Sequence, residues 1–141
     1  MKLIILVLFA MMAGIFYYMI AVAMTVYDGM GSLIFQPIIG AFFSGFAVLI
    51  CLAIGSPIRV SSQLNRFWKK HWWISVAIGA VGFFLMMLST MPGYQVEVYD
   101  SFLEENVLPS SPVLAVGGWF LTIFSILHFF PPTKLEFVRA E

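Results

Sequence analysis

Four stretches of this chain carry no charged side chain: residues 3–27, 29–58, 71–95 and 106–133. Each is longer than the ~18–20 apolar residues needed to cross the hydrocarbon of a bilayer. Inside hydrocarbon every backbone N–H and C=O needs a protein partner, and a helix supplies all of them from its own segment. The runs therefore predict an all-α integral membrane protein, a four-transmembrane-helix bundle with spans at about 3–27, 33–55, 72–91 and 113–130. Composition agrees. The chain is 62% hydrophobic and 10% charged, with a mean hydropathy of +1.00, whereas soluble domains carry about 25% charged residues. One membrane domain is expected over residues 1–141, with a loop at 56–71 and opposite loops at 28–32 and 92–112. Lys2 and the triplet Ala21-Val22-Ala23 outline a signal peptide, but the apolar stretch between them is longer than the roughly 7–15 residues of such a segment. The first span is expected to be an uncleaved helix.

The placement of charge orients the chain. Lys2 precedes the first span, Arg59, Arg66, Lys69 and Lys70 lie between the second and third, and Lys134 and Arg139 follow the fourth. Basic residues are retained on the cytoplasmic side. An N-in/C-in topology places all of them there and leaves only Asp28, Glu97, Asp100, Glu104 and Glu105 in the outer loops. A bacterial inner membrane is the expected location.

The loop "RVSSQLNRFWKKHWW" at 59–73 mixes basic and aromatic residues. Ser56-Pro57 reads as a helix start. Val60, Leu64, Phe67, Trp68, His71 and Trp72 fall on one helical face. Arg59, Ser62, Gln63, Arg66, Lys69 and Lys70 fall on the other. This is the pattern of an amphipathic helix lying at the membrane surface. Arg59, Arg66, Trp68, Lys69, Lys70, Trp72 and Trp73 are the expected membrane-interface residues. Each basic residue near an anionic leaflet contributes about 1 kcal/mol, so anionic lipids are an expected partner and nucleic acid is not.

Within the spans, small residues recur every three or four positions. Gly14, Gly40, Ser44, Gly79, Gly82, Gly118 and Thr122 are the expected helix-packing positions, because membrane helices associate through close backbone approach rather than hydrophobic burial. In the outer loop, residues 95–99 alternate and are expected to be extended. Ser101 followed by Glu104 resembles a capping box and predicts a short helix to about Val107. Gln36-Pro37 is expected in the first turn of the second span, where proline is tolerated.

No chemistry-bearing constellation emerges. His71, His128 and Cys51 lack metal-ligand spacing, and no span contains Asp, Glu, Lys or Arg, the usual mark of an ion-coupled carrier. No catalytic, cofactor-binding or metal residues are expected. The expected function is that of a small non-catalytic accessory, assembly or structural subunit, packed against other integral membrane subunits. The alternative is a homo-oligomeric channel, exporter or holin-like pore lined by Ser44, Ser75, Thr122 or Ser125. A third reading, a quinone-linked redox component, requires Tyr17, Tyr18, His71 and His128 to converge on one cavity.

Overall fold

The computed structural model describes residues 2–23, 30–100, 105–107 and 111–129. It is predominantly helical: α1 (Lys2–Ala23), α2 (Met30–Ile54), α3 (Ser56–Val60), α4 (Ser62–Lys70), α5 (Trp73–Ser89) and α6 (Pro112–His128). A two-stranded antiparallel ladder, β1 (Val98–Asp100) with β2 (Glu105–Val107), lies between α5 and α6.

Helices α1 and α2 contain apolar stretches, Leu3–Ile20 and Phe35–Ile54, long enough to cross a membrane. Only 11% of the first stretch is buried. A helix that is apolar all round and mostly uncovered requires a hydrocarbon environment, and the fold is consistent with a membrane protein. Helices α5 and α6 are equally apolar but have 17 residues each, about 26 Å at ~1.5 Å per residue. Helix α4 meets α5 at a bend of 73°, so it runs across the end of α5 rather than continuing it.

Several expected boundaries shift. Helix α2 starts at Met30 rather than near residue 33. Pro37 is therefore not a first-turn residue but lies inside the helix. There it removes the N–H that would reach the Leu33 carbonyl, a known cause of helix distortion. The helix expected through Val107 is absent. Residues 105–107 pair as a strand instead, with Val98 opposite Val107 and Tyr99 opposite Asn106. Valine and tyrosine are strand formers, and the extended reading of residues 95–99 holds for Val98 and Tyr99. Ser101 and Glu104 lie outside the described residues. The surface helix expected at 56–71 is two helices broken at Ser61, whose extended backbone (φ −82°, ψ 119°) ends α3 and whose hydroxyl caps Leu64 N–H.

Helix α6 is the hub. It packs most extensively on α5 and also touches α1 and α2, whereas α1 and α5 scarcely meet. The core joins Ala10 of α1, Ala47, Val48 and Cys51 of α2, and Ile123 and Leu127 of α6. Small residues there let the backbones approach. At one end, Tyr17 of α1 lies near the Ser89 side chain of α5, and the Ser111 N–H donates to the Ser89 carbonyl at 3.0 Å. At the other end lie the start of α1, the end of α2, α3, α4, the start of α5 and the end of α6. Charge follows this division. Among the described residues, Lys2, Arg59, Arg66, Lys69 and Lys70 belong to the second end, and Glu97, Asp100 and Glu105 follow α5 at the first.

Candidate functional site: a polar clasp at the basic end

The last carbonyls of a helix have no partner within it. Helix α6 ends at His128 without a glycine cap, and side chains from the α3–α4 segment take that role. Arg59 of α3 donates from Nη2 to the Leu127 carbonyl at 3.0 Å. Trp68 of α4 donates from Nε1 to the His128 carbonyl at 2.8 Å and to Ser75 Oγ at 2.8 Å. Ser75, fully buried in the first turn of α5, donates to the same His128 carbonyl at 3.1 Å. Ser125 closes the set by donating to the Ser75 carbonyl at 2.6 Å. Three elements, α3, α4 and α5, are thus fastened to one helix terminus. The Arg59 cation also complements the negative end of the α6 dipole. Burial pulls its guanidinium below its usual range, yet arginine stays protonated in proteins.

His128 lies beneath this network and is fully buried. Its Nδ1 sits 2.9 Å from the Phe124 carbonyl and its ring stacks on Phe124 at 4.2 Å. A carbonyl can only accept, so Nδ1 carries the proton there. The opposite edge, Nε2, faces Gly55, where any β-carbon would collide with the ring. Gly55 therefore makes room for the imidazole at the end of α2. Asn65, 1% exposed, donates from Nδ2 to the Ile58 carbonyl at 3.2 Å and ties α4 back to α3.

The residues expected at the membrane interface divide into two groups. Arg66, Lys70, Trp72 and Trp73 are exposed and Lys69 is half-buried. Trp72 meets Phe129 edge-on at 6.1 Å. Arg59 and Trp68 turn inward and hold the end of α6. The packing positions all lie where helices cross. A β-carbon on Gly14 would stand 2.7 Å from Ser44 Oγ, one on Gly40 would stand 2.8 Å from the Tyr18 ring, and one on Gly79 would stand 2.7 Å from Ser125 Oγ. Gly82 and Gly118 face each other's backbone. Thr122 donates to the Gly118 carbonyl at 2.9 Å beside them.

The chain matches no known protein family, no curated protein and no solved structure. What the site can do must be read from its geometry. The four residues of the redox reading do not converge. Tyr17 lies near Ser89 at the acidic end, Tyr18 covers Gly40, His71 packs tilted against Phe67 in the α4–α5 turn, and His128 faces Gly55. Among the described residues no three His, Cys, Asp or Glu groups gather in a metal-like cluster. The clasp is a mechanical device, built from neutral donors and one arginine on backbone carbonyls. Sequence reasoning missed Asn65 and the inward turn of Trp68. Their signal was present: Ser61, Asn65 and Trp68 fall at steps of four and three, a second helical face that competes with the lipid-facing one.

Proposed function

We propose that the chain is a small non-catalytic integral membrane protein that crosses the bilayer four times, with both termini in the cytoplasm, and acts as an accessory or assembly subunit of a larger membrane complex. The observation that carries this reading is the outward face of α2. Phe35, Ile39, Phe42, Phe46 and Leu49 are all exposed and follow one another at steps of four and three. A 3.5-residue repeat of large side chains is the seam by which one helix packs along another, and none of the described helices covers it. Ser75 and Ser125 are meanwhile engaged internally, which favours a rigid scaffold over a conduit, although the buried Ser44 hydroxyl has no hydrogen-bond partner among the described residues. Ser44, Ser75 and Ser125 are buried within one chain, whereas the pore alternative needs them on a surface shared between copies.

The short α5 and α6 fit a four-span reading because the α4 clasp lies across their end, with Trp72 and Trp73 at headgroup depth. Basic residues at that end would meet anionic lipids of the cytoplasmic leaflet. A bacterial inner membrane suits this charge bias. The test is to extract the tagged chain from its own membranes in mild detergent, then measure native mass and the co-purifying chains. Larger partners in fixed stoichiometry, lost on Phe42→Ser, support the proposal. A closed ring of identical copies rejects it in favour of the pore.

A further inference from the structure

A cleft of about 260 Å³ opens beside the clasp, lined by Leu6 and Phe9 of α1, Val76 of α5, and Ser125, Ile126 and Phe129 at the end of α6. Its cause lies in the fold. Helices α1 and α5 both rest on α6 but scarcely meet each other, and the cleft opens between them toward the basic end. The walls are apolar, and the one polar side chain, Ser125, is already engaged with the Ser75 carbonyl. That is many times the ~10–15 Å³ that one water-sized group needs on the same measure.

We propose that this cleft holds one acyl chain of an anionic phospholipid from the leaflet at the basic end. Depth and charge select this occupant. Leu6 lies one turn from Lys2 at the start of α1, and Val76 lies one turn from Trp72 and Trp73. The cleft thus begins just below headgroup level and runs toward the bilayer centre. Phe129, in its wall, meets Trp72, which His71 separates from Lys69 and Lys70 in the chain. Among the described residues, every charged group at this end is basic, which suits a phosphate above the cleft. A neutral lipid would fill the same walls without that match.

The inference rests on the membrane reading above, and its test separates the two. The full chain is placed in bilayer discs of equal phosphatidylcholine and phosphatidylglycerol, then released into native mass spectrometry. One phosphatidylglycerol should be retained about thirtyfold over phosphatidylcholine, the preference that about two near-surface basic residues give. Val76→Phe, which fills the cleft from a partly exposed position, should reduce retention about tenfold. Val81→Phe, on an exposed part of the same helix, should leave it unchanged. The paired change Lys69→Gln and Lys70→Gln should abolish the preference for the anionic lipid. Equal retention of both lipids by the native chain, or undiminished retention by Val76→Phe, overturns the proposal while leaving membrane insertion intact. Failure of the chain to enter the discs instead overturns the membrane reading beneath it.

Discussion

Gly117 and Gly118 are neighbours on α6, and the structure gives them opposite roles. A β-carbon at Gly117 meets nothing within 4 Å. One at Gly82, which faces Gly118 across the α5–α6 crossing, would stand 2.7 Å from the Gly118 carbonyl oxygen and 2.9 Å from Thr122 N. Ordinary contact begins near 3.4 Å, so Gly82→Ala must part the helices by about 0.7 Å. The obstacle is backbone and cannot rotate away. A gap of roughly 0.5–1 Å forfeits a quarter to a half of each dispersion contact along the seam, and overpacked cores lose about 1–3 kcal/mol. The expected loss is about 2 kcal/mol for Gly82→Ala and similar for Gly118→Ala. Gly117→Ala should be neutral or stabilising by up to about 1 kcal/mol, the ordinary advantage of alanine in a helix. The difference between the neighbouring substitutions is thus about 2–3 kcal/mol, or roughly thirty- to a hundredfold in the unfolding equilibrium. Far-UV circular dichroism of the purified chain during titration of mixed micelles with dodecyl sulfate would measure it. The reasoning is refuted if Gly82→Ala unfolds with the native chain, or if Gly117→Ala is as damaging as Gly118→Ala.

Trp68→Phe should cost about 1–2 kcal/mol by removing the donor to Ser75 and the His128 carbonyl. It should also speed amide exchange across residues 64–70 more than in α1, and unchanged exchange in α4 would show that the clasp does not hold it. Gly55→Ala should destabilise through the His128 ring, and His128→Ala should suppress most of that effect. Strict additivity in the double mutant would rule out the contact. With Cys51 replaced by serine, a thiol introduced as Gln63→Cys should react only from the cytoplasmic side and one introduced as Val96→Cys only from the outside. Both positions are exposed, and labelling from one common side would overturn the four-span topology.

Hydrophobic runs and charge bias carry local information, so the helices and the segregation of basic from acidic residues were legible in the chain. Steps of three and four located Gly14, Gly40, Gly79, Gly82 and Gly118, because a helix face is set by its own periodicity. Local pattern also misled. A capping-box spacing at 101–104 competes with strand formers on either side, and the pairing of Val98 with Val107 joins residues that no local motif links.

What only the tertiary structure decided is which partner each residue meets. Arg59 and Trp68 read as surface residues because basic and aromatic side chains suit a membrane interface. Their partners, the carbonyls of Leu127 and His128, lie 68 and 60 positions away. Every helix end exposes such carbonyls, and nothing in the order of residues says which side chain will reach them. Gly117 and Gly118 show the same limit in one step: identical residues on one helix, set apart only by where α5 crosses. Hydropathy is a property of each segment, whereas contact depends on the relative placement of segments remote in sequence.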